Sequence, residues 1–84
     1  MHTVLPLTPK LIAKVNKYHL QKKCAKAILL LATNPKHPGL NTELLEPKSM
    51  GYYSFRLDRK YRGLFIYHEE NATIQVVTIT AHYH

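Results

Sequence analysis

Cysteine is nearly absent from this chain. The single Cys24 excludes an internal disulfide framework, so stabilisation has to come from packing or from a partner. That usage fits a reducing compartment, and a cytoplasmic location is the expectation. Long hydrophobic runs are missing as well. The longest, residues 27–32, falls far short of the roughly 18–20 apolar residues that span a bilayer, so no membrane insertion is expected. The first residues show no basic region followed by an apolar stretch and a small-residue cleavage site, which argues against secretion. Acidic side chains are the third scarcity. Five Asp and Glu stand against twelve Lys and Arg, a formal net charge of +7. Such a surplus favours a polyanionic partner, and either nucleic acid or an acidic protein satisfies it.

What is present suffices for one domain, 1–84, with 45% hydrophobic residues to build a small core. Residues 2–5 (HTVL) read as a short first strand, stopped by Pro6. Thr8 is a good N-cap, with Pro9 at the first helical position. Leu11, Ile12, Val15 and Tyr18 recur at helical spacing, and Cys24, Ala27, Ile28 and Leu31 repeat the pattern. Two antiparallel helices over 9–18 and 21–33 follow, with one long bent helix as the alternative. Their lysines (Lys10, Lys14, Lys17, Lys22, Lys23, Lys26) form either a solvated face or a contact surface for RNA backbone. Asn34-Pro35 and Pro38-Gly39 end the helical region. Residues 40–50 read as a connector anchored by Leu44 or Leu45.

The stretch 51–67, GYYSFRLDRKYRGLFIY, reads as two strands around the turn Asp58-Arg59-Lys60. Alternation puts Tyr53, Phe55 and Leu57 on one side and Tyr52, Ser54 and Arg56 on the other. Glu69-Glu70-Asn71 makes a second turn, and the doublet Val76-Val77 within IQVVTIT suggests a strand buried on both faces. The expected class is α+β in the order β-α-α-β-β-β, with two helices packed on one face of a small, mostly antiparallel sheet.

The succession HPGLNTELLEP, GYYSFRLDRKYRGLFIY and a final apolar strand ending AHYH resembles the RelE/ParE superfamily of bacterial toxins, and most of all its YoeB/Txe branch. The resemblance covers about residues 35–84 and implies the family's microbial-ribonuclease-like fold. It also implies ribosome-dependent cleavage of messenger RNA without a cofactor, and inhibition by an acidic, partly disordered antitoxin. The family's catalytic glutamate stands eight residues before the Gly-aromatic strand, which is Glu43 here. Its catalytic arginine corresponds to Arg62 and its terminal pair to His82 and Tyr83. Two positions depart from the branch: Thr80 stands where an Arg is usual, and His84 extends past the final Tyr.

Metal-free RNA cleavage needs a base for the 2′-hydroxyl, positive charge at the phosphorane and an acid for the 5′-oxygen. On the family's pattern, Glu43, Arg62 and His82 fill those roles in that order. Each positioned proton-transfer group contributes roughly 10²–10⁴-fold, and an imidazole with a pKa near ~6.5 donates a proton near neutrality. Tyr83 stacks on a base, steadies the phosphate or shares the acid role. Arg56, Lys48, Lys60 and His84 supply further phosphate contacts, and Tyr53 a stacking surface. The ribosome and its message are then the partners beside the antitoxin, with a homodimer also open.

Each residue has a plainer reading. Glu43 is then a solvated carboxylate, and Arg62 pairs with Asp58, Glu69 or Glu70. His82 and His84, with His68, have the spacing of a zinc site, but no Cys or acid cluster accompanies them, and no metal is expected. A rival class remains open. Thr80 in place of Arg favours a ParE-like or degenerate toxin that binds a protein target such as DNA gyrase, or only its antitoxin.

Overall fold

A computed structural model of the chain describes residues 2–81. In chain order the elements are β1 (Thr3–Val4), α1 (Pro9–Lys17), α2 (Gln21–Thr33), β2 (Glu43–Leu44), β3 (Tyr52–Arg56), β4 (Tyr61–His68) and β5 (Thr73–Ala81). They build one five-stranded sheet in the order β1-β5-β4-β3-β2, in which β1 runs parallel to β5 and the remaining pairs are antiparallel. The α+β class and the helix-then-sheet order are as expected, with one strand more. β2 lies inside the stretch read as a connector, pairing Glu43 with Ser54 and Leu44 with Tyr53.

Local chemistry explains the helices. Thr8 Oγ1 accepts the Leu11 N–H at 3.2 Å, capping α1 behind Pro9. His19, at φ 57°, takes the left-handed conformation that breaks the helical path, so the region is two helices and not one bent one. Leu11 and Val15 from α1 and Cys24, Ala27 and Leu31 from α2 pack in one cluster with Phe55, Phe65, Ile74, Val76 and Ile79 of the sheet. Ile12 falls outside that cluster and is 48% exposed. Leu40, only 1% exposed and held in a 3-10 turn at Pro38–Leu40, anchors the loop after α2. Neither Leu44 nor Leu45 does so; Leu44 is 39% exposed.

The valine doublet has a different meaning from two-sided burial. Phe65 pairs with Val76 but Leu64 pairs with Thr78, so Val77 is an extra residue in β5. This bulge shifts the strand's parity. Ile74 and Val76 face the helices before it, and Ile79 faces them after it.

The turn between β3 and β4 is tied down by Asp58. Its Oδ1 accepts the N–H groups of Lys60 and Tyr61 at 2.8 and 2.7 Å, while Oδ2 meets Lys23 Nζ of α2 at 3.2 Å. Burial pushes the carboxyl's pKa up, but the Tyr61 and Lys60 N–H groups and the Lys23 ammonium outweigh it and hold it below the usual carboxylate range. With the folded value below the unfolded one near ~3.9, the stabilisation is present above that pH and is lost as pH falls through the folded value. Thermal melts should therefore show wild type above Asp58→Asn at neutral pH, with the gap closing below about pH 4. A gap that widens on acidification would contradict this account.

Candidate nucleic-acid and catalytic site

The helices cover one face of the sheet, and strand alternation assigns the residues of the other. Across β3, β4 and β5 the register stacks three rows on it: Tyr52, Ile66 and Gln75; Ser54, Leu64 and Thr78; Arg56, Arg62 and Thr80. Glu43 of β2 extends the middle row beside Ser54. At this end of the sheet lies an open groove of about 370 Å³, lined by Asn41, Glu43, Ser54, Arg62, Thr80 and Ala81 among others.

Arg62 is the fixed point of the groove. It is half-buried, and its Nη2 donates to the Asn41 carbonyl and to Ser54 Oγ, each at 2.8 Å. Two of the guanidinium's five N–H groups are thereby used, and among the described residues Nε–H and the Nη1 pair are left for an anion. Among the described residues no carboxylate lies within ion-pair distance of Arg62 or Arg56. Asp58 is engaged by Lys23 instead. Glu69 and Glu70 follow the far end of β4. Arg56 sits directly opposite Arg62 in the ladder and is exposed. Like charges so placed repel each other, an arrangement that an anion relieves.

Glu43 shares the groove with Arg62 and is exposed, without an ion-pair partner among the described residues. Thr80 is the other ladder neighbour of Arg62, so Arg62 stands between a cation and a hydroxyl. His82, Tyr83 and His84 lie outside the described residues. They follow directly on Ala81, which lines the groove.

The remaining expected contacts are not gathered here. Tyr53 points to the helix side of the sheet, its ring stacked 5.3 Å from Phe65, and lines a separate cavity of about 450 Å³ with His2 and Tyr67. Lys48 lies in the exposed turn after β2, and Lys60 in the β3–β4 turn with its Nζ 5.6 Å from the centre of the Tyr61 ring. Cys24 is buried in the core, where burial pushes its thiol pKa up and away from nucleophilic use. Two residues that bear on the site, Ser54 and Asn41, escaped the sequence reading. Ser54 had a usable signal, since alternation places it on the same side as Arg56; Asn41 acts through its backbone and had none.

No family model and no curated protein matches the sequence. Solved structures do match. A YoeB/ParE toxin from Agrobacterium tumefaciens superposes with TM-score 0.74 at 16% identity, over 96% of this chain and 99% of that one. YafQ from E. coli strain BL21(DE3) gives 0.71 at 13%, over 96% and 91%. The toxin in a heterotetrameric YoeB-YefM toxin-antitoxin complex from Staphylococcus aureus gives 0.70 at 18%, over 99% of both chains. The chain has the YoeB/RelE toxin fold. That likeness extends over 96–99% of the chain. The S. aureus toxin has also been solved as a YoeB dimer.

Proposed function

We propose that this protein is the toxin of a type II toxin–antitoxin pair and a ribosome-dependent endoribonuclease that cuts translated messenger RNA. The observation that carries the reading is the groove, in which the Arg62 guanidinium and the Glu43 carboxylate stand together without neutralising each other. Glu43 takes the proton of the 2′-hydroxyl, whose oxygen attacks the adjacent phosphorus. Arg62 stabilises the charge that builds on the phosphorane oxygens. His82, with Tyr83 beside it, returns a proton to the leaving 5′-oxygen, yielding a 2′,3′-cyclic phosphate and a 5′-hydroxyl. These side chains cover all three roles without a metal ion. Arg56 adds phosphate affinity from the neighbouring strand. Action on translating ribosomes places the protein in the cytoplasm. An acidic antitoxin is the natural inhibitor of so basic a surface. The S. aureus complex supports that partner, and the YoeB dimer supports self-association.

One observation favours a second reading. The position beside Arg62 on β5 holds Thr80 and no cation. A toxin that grips a protein target such as DNA gyrase, or only its antitoxin, needs no second phosphate contact there.

Inducible expression with mapping of message ends separates the two. The nuclease reading expects growth arrest with new 5′-ends inside translated messages, lost in His82→Ala. Arrest with intact messages and trapped gyrase complexes would assign the chain to the second class.

A further inference from the structure

The groove contains a device that neither the charge pattern nor the acid–base roles require. Arg62 is held twice from the same nitrogen, by a backbone carbonyl of the loop after α2 and by a hydroxyl of β3. Arginine in a surface groove ordinarily samples many rotamers, and ordering it costs free energy at the moment an anion binds. Here that ordering is built in before any ligand arrives.

Both holding groups are themselves fixed. Ser54 is 5% exposed and lies between Glu43 and Leu64 in the ladder. Asn41 takes the left-handed conformation, φ 47° and ψ 52°, and its N–H donates to the Pro38 carbonyl at 3.1 Å. The loop beneath it is cross-tied. The His37 ring accepts the Gly39 N–H at 2.9 Å, Thr42 Oγ1 donates to the Pro35 carbonyl at 2.9 Å, and Leu40 is sunk in the core. A non-glycine residue held at positive φ beside a groove is an uncommon geometry with a directional result. It sets the direction of the Asn41 carbonyl that Arg62 meets.

We propose that Ser54 and Asn41 are positioning residues that clamp the Arg62 guanidinium in a single orientation, with Nε–H and the Nη1 hydrogens presented to the phosphate undergoing transfer. The proposal rests on the nuclease reading for its chemistry, but the clamp itself is a property of the free protein. A misplacement of about 1 Å in such a group costs on the order of a hundredfold in rate. The effect therefore belongs in turnover and not in message affinity, because the charge remains in the groove whichever way it points.

The test combines two readouts on the full chain. The first is the guanidinium NMR signal of Arg62, which reports hindered rotation about its C–N bonds when Nη2 is held. The second is cleavage of a ribosome-bound message, resolved into kcat and KM. Wild type is expected to show hindered rotation. Ser54→Ala should free the guanidinium and lower kcat roughly ten- to a hundredfold with KM within about twofold; Ser54→Thr, which keeps the hydroxyl, should recover most of both. Asn41→Val, whose β-branched side chain resists positive φ, should behave like Ser54→Ala, whereas Asn41→Gly should keep the hindered signal and exceed the valine variant in kcat about tenfold. Asn41 is exposed, so that second pair remains decisive if Ser54→Ala does not fold. A freely rotating Arg62 in wild type, or a Ser54→Ala protein with unchanged signal and unchanged kcat, overturns the clamp. Hindered rotation in a wild-type protein that cuts no message overturns the nuclease reading and leaves the clamp standing.

Discussion

Gly63→Ala is expected to destabilise the protein by about 1–3 kcal/mol or more, although in most strands the same change is mildly favourable. Gly63 pairs with Phe55 on β3 and with Ile79 on β5, and the Phe55 ring lies across it. A Cβ built at Gly63 falls 2.3 Å from Phe55 Cζ and 2.4 Å from Cε1, inside the distance any real pair of carbons adopts. The ring has little room to retreat, being 1% exposed and tilted against Phe65 at 5.9 Å. The usual gain from replacing strand glycine, about 0.5–1 kcal/mol, is too small to offset that overlap. A domain of this length has a total stability of roughly 4–13 kcal/mol, and each kcal/mol moves its midpoint by about 4–8 °C. Thermal melts should thus place Gly63→Ala several degrees to some tens of degrees below wild type. Phe55→Leu alone should also lower the midpoint, by opening a void. The double variant Phe55→Leu/Gly63→Ala should be more stable than the sum of the two losses predicts, since the new methyl enters the space the ring has left. Additive losses would mean that glycine and ring do not share one space.

That pair also marks where the sequence was legible and where it was not. Alternation in GYYSFRLDRKYRGLFIY assigns the faces of β3 and β4 correctly, because a period of two is a backbone property. Thr8-Pro9 marks the start of α1 for an equally local reason. What depends on a distant partner was not legible. β2 is two residues long, and only its pairing with β3 makes it a strand. The Val76-Val77 doublet is a change of parity rather than a doubly buried stretch, and the register against β4 decides between the two. Leu40 and Leu45 carry equal hydrophobicity, but Leu40 is buried in the 3-10 turn while Leu45 lines the open groove. The candidate site follows the same division. Arg62 and Glu43 were named through the family's spacing, and the structure sets them in one groove. Tyr53 was expected among them, but its alternation with Phe55 commits it to the other face.

Arg62→Ala should lower message cleavage by about 10²–10³-fold, the loss typical of removing one preorganised donor from a developing anion. Arg62→Lys should recover only a small part of it. A lysine ammonium restores the charge, but one nitrogen cannot hold Asn41 and Ser54 while presenting a separate edge to phosphate. The alanine variant should remain folded, since Arg62 is half-buried on the uncovered face and lies outside the core. It leaves Ser54 Oγ without its donor, at a cost of about 1–3 kcal/mol. The neighbours in the same row separate binding from catalysis. Arg56→Ala removes the like charge opposite Arg62, so it should raise thermal stability slightly while weakening RNA binding and flattening its salt dependence. Thr80→Arg puts a cation on the other flank of Arg62 and should tighten binding, steepening the log–log salt slope by about 0.7 per added phosphate contact. Single-turnover cleavage measured beside salt-dependent binding resolves the three. If Arg62→Ala cut messages as fast as wild type while Arg56→Ala did not, the reacting phosphate would sit over β3 and the roles drawn around Arg62 would be wrong. The hydrogen bonding argues otherwise, because among the described residues Arg62 is held in place before the substrate arrives and Arg56 is not.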